Sequence, residues 1–288
     1  MTATPSGAAG AVVAYLRAQR DAIAANEPEV RAGDEDAVHD MRVAIRRTRS
    51  TLRSFRGMWD RERVDSLRDE LKWLADRLGP VRDGHVMASR LSGAVRAEPR
   101  QLVVGPVEAR IQQHLGHDTS DAMERVRGAL DGDRYAKLLA ETDALIAAAA
   151  DRGDGWVRKR VRKAVRRADR MLDGAHAPDD HDRDVQLHAA RKAYKRARYA
   201  AEPFHRKPAQ LMAKRLKALQ DVLGLHQDTV VTRAVLRDLG MRAFREGGNA
   251  FTYGLLHARQ QIAGEAALAD LPGATKRARR KKVRRWLA

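Results

Sequence analysis

His39-Asp40-Met41-Arg42-Val43-Ala44-Ile45-Arg46-Arg47-Thr48-Arg49 returns, at an offset of 149, as His188-Ala189-Ala190-Arg191-Lys192-Ala193-Tyr194-Lys195-Arg196-Ala197-Arg198. Each copy sets a histidine and several cations three and four residues apart, the spacing that keeps side chains on one face of an α-helix. At 100° per residue, His39, Arg42, Arg46, Arg49 and Arg53 fall within about 80° of one another. Val38, Met41, Ile45, Thr48, Leu52 and Phe55 make an apolar stripe roughly 110° further round. The second copy repeats the arrangement, with His188, Arg191, Lys195 and Arg198 beside Leu187, Ala190, Tyr194, Ala197, Ala201 and Phe204. The apolar stripe is the core face of an amphipathic helix. The basic stripe is unusual: it lacks the opposite charges of a solvated helix, and like charges at i,i+4 cost a few tenths of a kcal/mol per pair. Two such stripes predict a ligand that relieves the repulsion, something long and anionic.

A second passage repeats as well. Lys72-Trp73-Leu74-Ala75-Asp76-Arg77-Leu78-Gly79-Pro80-Val81-Arg82-Asp83 matches Lys217-Ala218-Leu219-Gln220-Asp221-Val222-Leu223-Gly224-Leu225-His226-Gln227-Asp228 at an offset of 145. Each half of the chain is therefore read as a helical hairpin with flanking helices, and the halves as bundles related by an approximate twofold. The short link Asp151-Arg152-Gly153-Asp154-Gly155 divides residues 1–150 from 151–288 and predicts that the halves pack together. Lys72 and Lys217 each lie one residue from a core leucine and are expected to reach the groove of the stripes. Asp83 and Asp228, following a glycine, read as N-caps of new helices.

Helices are expected near 8–26, 36–56, 61–78, 84–97, 102–128 and 133–150, then near 155–173, 184–204, 208–223, 229–240, 245–269 and 275–286. The breaks between them fall at glycine, proline and aspartate. No strand-like alternation of useful length occurs, so the fold class is all-α. The Gly33-Asp34-Glu35-Asp36 cluster reads as a helix start.

The 288 residues carry a formal net charge of +18, with aromatics at 5% and no cysteine. Such a charge points to polyanions: nucleic acid, polyphosphate or an anionic membrane surface. The lack of cysteine excludes disulfides and thiolate chemistry. No run of about 18 apolar residues occurs, so no membrane span is expected. The opening residues have no basic region ahead of an apolar one, and a cytoplasmic protein is the expectation. Enzyme readings find no glycine-rich phosphate loop, no metal-spaced cluster and no nucleophile–base order; no catalytic residue, metal or cofactor is expected.

The repeated motifs, His-x-x-Arg-x-x-x-Arg/Lys-Arg-x-Arg with a later Leu-Gly and Asp, resemble those of the CHAD family, helical domains with a characteristic histidine. The resemblance runs from about residue 8 to 286. It implies two pseudo-twofold-related four-helix bundles forming one tandem helical domain with a central basic groove. It also implies non-catalytic binding of inorganic polyphosphate, often at polyphosphate granules, where granule-associated proteins would be further partners. Carried over position by position, the contacts would be His39, Arg42, Arg46, Arg49, Lys72, His188, Arg191, Lys195, Arg198 and Lys217. Glu202 stands where the first stripe has Arg53 and makes the second less basic at that end.

Two further segments are basic. Residues 156–172 form a cationic helix whose Arg158, Arg162 and Arg166 would widen the groove or face solvent. Residues 276–285 are almost all Lys or Arg, and this tail supports the rival reading, a nucleic-acid-binding protein. Arginine suits phosphate through its planar fork of donors and fixed charge. The histidines are expected neutral among the cations and protonated beside bound phosphate.

Overall fold

Aspartate side chains open three of the helices that carry the repeats. Asp34 accepts from the Ala37 backbone N–H (2.7 Å), Asp60 from Arg63 (3.0 Å) and Asp179 from Asp182 (3.0 Å), each satisfying a donor that the first helical turn leaves free. Gly33, at φ 91°, ends the preceding short helix in the left-handed region that suits glycine. The cluster at 33–36 is thus a helix start, as its sequence implies.

The computed structural model describes residues 6–287, with side chains for all of these but 116–119. The described residues form α1 (Gly7–Ala25), α2 (Glu27–Ala32), α3 (Glu35–Ser54), α4 (Arg61–Ala97), α5 (Val107–Asp131) and α6 (Asp133–Ala147). After a short link come α7 (Asp154–Asp173), α8 (Asp180–Ala201), α9 (Lys207–Arg245), α10 (Phe251–Ala269), α11 (Leu271–Ala278) and α12 (Lys281–Arg284). The fold is all-α, and no described helix is long and apolar enough to cross a membrane.

The order α1–α3–α4–α5 of the first half is matched by α7–α8–α9–α10 in the second, through the contacts each makes with the next. Equivalent residues of the two halves meet where α3 packs on α8: the rings of Phe55 and Phe204 touch edge to face, centroids 6.3 Å apart. One apolar core crosses between the halves, from Val12 and Leu16 of α1 through Ile45, Leu71 and Leu78 to Val161, Tyr194, Leu216 and Leu223. A second core gathers Leu91 and Val95 of α4, Val107 and Ile111 of α5, Leu236 and Leu239 of α9, and Tyr253 and Leu256 of α10.

Helices α4 and α9 run through both cores, and here the structure corrects the sequence reading. The breaks expected at Gly79-Pro80 and after Leu223 do not occur; α4 has 37 residues and α9 has 39. A proline inside a helix costs about 3 kcal/mol. Burying Leu74, Leu78 and Val81 beside it, and Leu91 and Val95 beyond it, gains roughly 1.5–3 kcal/mol per large apolar side chain, so burial wins. It follows that Asp83 and Asp228 are not N-caps. Both lie inside continuous helices and hold arginines: Asp83 takes Arg42 (2.9 Å) and Asp228 takes Arg90 (2.7 Å).

The basic tail is also folded down. Val283 and Leu287 are buried in the first core, and Trp286 packs on Phe204 with centroids 5.2 Å apart. Arg284 forms a bidentate pair with Asp169 (2.6 and 2.9 Å), which also accepts from the Tyr194 hydroxyl (2.8 Å). Burial opposes ionisation of Asp169, but the hydrogen bonds from Arg284 and Tyr194 outweigh it and hold its carboxyl below the usual range. Arg279 pairs with Asp173 at 2.7 Å, and Arg162 donates to the Leu287 carbonyl. The basic tail thus commits Arg279, Arg284 and its apolar residues to the core, while Lys276, Arg277, Arg280, Lys281, Lys282 and Arg285 remain exposed.

Candidate anion-binding site

The apolar stripes of α3 and α8 enter the shared core, which turns the two basic stripes toward the same seam. Lys195 lies near the pseudo-twofold among cations of both halves. Burial, then Arg46, Arg191, Arg198 and Arg42, pull its ammonium down to about 7. Its counterpart Arg46 is disfavoured in charged form by burial, opposed by the Tyr199 hydroxyl and reinforced by Arg42, and its buried Nε has no hydrogen-bond partner. Five of the ten residues singled out in the sequence, Arg42, Arg46, Arg191, Lys195 and Arg198, are thus brought together.

The glycines of the second repeat explain how the arginines lie. Arg42 donates from Nη1 to the Gly79 carbonyl (3.2 Å) as well as to Asp83. Arg191 lies over Gly224, where an added Cβ would stand 3.2 Å from its Nε. A bare helix backbone lets each guanidinium rest against the neighbouring helix. The pairing differs between halves: Arg42 has Asp83, while Asp228 is claimed by Arg90 from the other half and the buried Nε of Arg191 has no partner.

The histidines flank the seam. His39 is held below its ordinary pKa by burial, then by Arg82 and Arg46. His188 is lowered by burial and then Lys192, partly offset by a hydrogen bond with Gln227. Both are therefore neutral at pH 7 without a ligand, and an anion would favour their protons.

Three predicted residues stand outside the cluster. Arg49 reaches α4, donating from Nε to the Arg68 carbonyl (3.1 Å). Lys72 pairs with Asp76, and Lys217 with Asp221 at 2.7 Å, one turn along the same helix; both lysines are more than half exposed. Of the residues not carried over as contacts, Tyr199 matters most, because it bonds Arg46 and carries the Arg198 guanidinium 4.6 Å above its ring. Its place right after the second motif was a signal. Arg90, which ties α4 to α9, had none. Arg162 of the cationic helix is turned to Leu287 rather than to the seam.

The arrangement can bind anions. The arginine forks and the lysine suit phosphate oxygens, and no described group of three or more His, Asp or Glu could hold a metal ion.

Comparison with known proteins agrees with this layout. The family model described as CHAD domain matches residues 14–237. The Mycobacterium tuberculosis protein Rv2226 (strain H37Rv) is 35% identical over 268 residues, 87% of this chain and 51% of its own length. A second M. tuberculosis protein, MT2285 (strain CDC 1551), matches to the same extent, so the chain spans about half the length of these relatives. Among solved structures, PptA from Streptomyces chartreusis superposes with a TM-score of 0.78 at 21% identity, covering 94% of this chain and 100% of that one. The CHAD domain from the plant Ricinus communis superposes with a TM-score of 0.64 at 24% identity, covering 100% and 94%. At these identities the two structures speak for the fold.

Proposed function

Because this chain belongs to the CHAD domain family, we propose that it binds inorganic polyphosphate, without catalysis, in the seam between its two halves. The observation that carries the reading is the cluster at the pseudo-twofold. Arg42, Arg46, Arg191, Lys195 and Arg198 converge there, Lys195 is pulled down to about 7, and the buried Nε atoms of Arg46 and Arg191 have no partner. Such a cluster carries an electrostatic cost that a bound anion would remove. Cations recurring about every 5 Å along α3 and α8 suit a polymer charged at each unit. His39 and His188 would take up protons on binding, and Arg49, Lys72 and Lys217 would meet the polymer as it leaves the seam. Residues 1–150 and 151–288 would act as two halves of one clamp, and attachment to polyphosphate granules is the cellular role this suggests.

The rival, nucleic acid, fits less well. Base stacking needs free aromatic faces near the bound strand, but Arg134 covers Trp73 (4.2 Å), Arg160 covers Trp156 (4.7 Å) and Trp286 packs on Phe204, while the exposed Phe244 lies twenty residues along α9 from Gly224, about 30 Å from the seam. The tail that favoured it is docked through its apolar residues and has two of its arginines paired with Asp169 and Asp173, which leaves fewer cations free for phosphate.

The deciding experiment is a competition titration near physiological salt. Labelled long-chain polyphosphate is challenged with DNA and RNA at equal phosphate concentration, for the wild type and for a variant with Arg42, Arg46, Arg191 and Lys195 changed to Ala. Polyphosphate should win, and the variant should lose that preference, its salt slope falling by about 0.7 for each phosphate contact removed. Equal competition by nucleic acid with little effect of the variant would overturn the reading.

A further inference from the structure

A second concentration of positive charge lies outside the seam, round the end of α3. There Arg53 and Ser54 of α3, Arg160, Lys163, Ala164 and Arg167 of α7, and Ala193 and Arg196 of α8 line a cavity of about 180 Å³. Five cations point into it, and its lining contains no carboxylate. The charges feel one another. Arg53 is disfavoured in charged form by burial, then by Arg68 and Arg167, and Arg196 by burial, then by Arg53 and Arg167. For both residues every cause acts in the same direction. At the tail, by contrast, close arginines are matched by an acid: Asp169 pairs with both Arg279 and Arg284.

The cavity is built by the fold. Trp156 anchors the start of α7 against Gly57, where an added Cβ would stand 2.8 Å from its ring, and Arg160 lies on that ring, 4.7 Å from its centre. Ala164 and Ala193, small residues where α7 packs on α8, leave the space beneath the arginines. Arg196 follows Lys195 in sequence but lies about 100° round the helix, so it faces this cavity and not the seam. Arg53 extends the row Arg42, Arg46, Arg49, and Arg68 stands beside both Arg49 and Arg53. A row of cations therefore runs from the seam to the cavity, with Asp65, Asp69 and Asp76 alongside its middle.

We infer that this cavity is a second oligophosphate site, distinct from the seam, which takes a run of phosphate groups in the forks of Arg53, Arg167 and Arg196 with Arg160 and Lys163 at its rim. The ligand is either the continuing segment of a long polyphosphate already in the seam or a separate short oligophosphate; the chemistry is the same, and experiment separates the two. The inference takes from the preceding reading only the class of ligand, and it does not need the seam to be occupied.

The test is calorimetric titration with tripolyphosphate, then with long-chain polyphosphate. The proteins are the wild type, R53A/R167A/R196A, the charge-retaining R53K/R167K/R196K, and the seam variant R46A/K195A. With tripolyphosphate the wild type should bind two molecules and each alanine variant one, while the lysine variant keeps the second site at reduced affinity. With long-chain polymer, a salt slope lower by about 2 in R53A/R167A/R196A assigns the cavity to the same chain. An unchanged slope, with the second tripolyphosphate still lost, assigns it to a separate ligand. Two molecules bound by R53A/R167A/R196A, or one by the wild type with only the seam variant affected, would overturn the inference. Loss of binding by the cavity variant alone would sink the seam reading and leave this one standing. Because none of the three arginines holds a carboxylate, the variants should melt as the wild type does, which circular dichroism would verify.

Discussion

Arg53 and Glu202 occupy equivalent places at the ends of α3 and α8, and the flanks around them have opposite characters. Glu202 is surrounded by groups that need it: Tyr15 donates its hydroxyl at 2.6 Å, Arg47 its Nε at 3.0 Å, and Arg198 lies 3.0 Å away. The Tyr15 hydroxyl is pushed up by burial and then by Glu202, so it stays a donor. Arg53, by contrast, has no carboxylate of its own: it meets Arg167 and Arg196 and also Arg68, whose charge Asp65 takes at 3.0 Å. Even the equivalent arginines, Arg47 and Arg196, part company: one is paired across the halves, the other is left among like charges. The same helices in the same geometry thus make one flank that is complete in itself and one that is short of negative charge. What separates a structural cation from a ligand-binding one here is whether the chain supplies its partner, not where the cation lies in the repeat.

Changing Glu202 to Gln leaves Arg47 and Arg198 underpaired in a half-buried site. Charge-assisted hydrogen bonds contribute about 1.5–3 kcal/mol, so a loss of about 2–3 kcal/mol and a fall in Tm of roughly 5–10 °C are expected. Changing Arg53 to Gln removes only repulsion, so stability should stay within about 0.5 kcal/mol or rise, while polyphosphate affinity drops. Thermal melts and titrations of the two variants side by side check this. Equal destabilisation by both would show that Arg53 is structural after all.

Part of this was readable from local sequence. The stripes of α3 and α8, their apolar companions and the Asp34 start each depend on residues within two or three turns, and spacing alone places them. The replacement of Arg53 by Glu202 was also visible, along with its effect on symmetry. The lengths of α4 and α9 were not, because Gly79-Pro80 is a local signal overruled by burial against helices distant in the chain. The docking of the tail was hidden for a similar reason: the run 276–285 displays its charge, whereas Asp169, which pairs with Arg279 and Arg284, lies more than a hundred residues away. The side cavity draws on α3, α7 and α8, and nothing in the basic helix tells which of its arginines line it; those that do are Arg160 and Arg167, while Arg162 turns to the Leu287 carbonyl.

A subtler contrast concerns protons. Lys195 and Arg196 are neighbours, but only the lysine can lose its charge near neutrality. With an unfolded value of about 10.4 and a folded one of about 7, the unfolded chain binds more protons between these limits. Stability of the ligand-free protein therefore rises with pH across that window. Because Lys195 is partly solvated, the gain should be on the order of 1–2 kcal/mol, and Lys195→Met should abolish the slope. Bound polyphosphate reverses the sign for the ligand: by restoring the Lys195 proton, opposing Arg46, Arg191, Arg198 and Arg42, it makes seam affinity fall as pH rises through about 7 to 8. His39 and His188 add to this only at lower pH. The side cavity, lined by arginines with Lys163 at its exposed rim, should bind with nearly constant affinity over the same range. Isothermal titrations in buffers of different ionisation enthalpy would show proton uptake at the seam and none at the cavity; uptake unchanged in Lys195→Met would remove Lys195 from that role.

The smallest expected difference lies between the two repeat glycines. Both are buried inside long helices, where alanine is intrinsically better by about 1 kcal/mol. At Gly79 a Cβ would have only Arg42 Nη2 near it, at 3.9 Å, an ordinary contact; at Gly224 it would press on Arg191 Nε at 3.2 Å and Nη2 at 3.5 Å. Gly79→Ala should therefore leave polyphosphate affinity unchanged and raise stability slightly, while Gly224→Ala should displace the Arg191 fork and weaken binding about twofold to fivefold, the cost of one imperfect charge-assisted contact. Arg191 bears the larger effect because it lacks the carboxylate that steadies Arg42, so nothing but the bare helix surface and the ligand determines where its guanidinium lies. If both alanines weaken binding equally, close approach to the glycine is needed in both halves and the Asp83 pair adds nothing to the placement of Arg42.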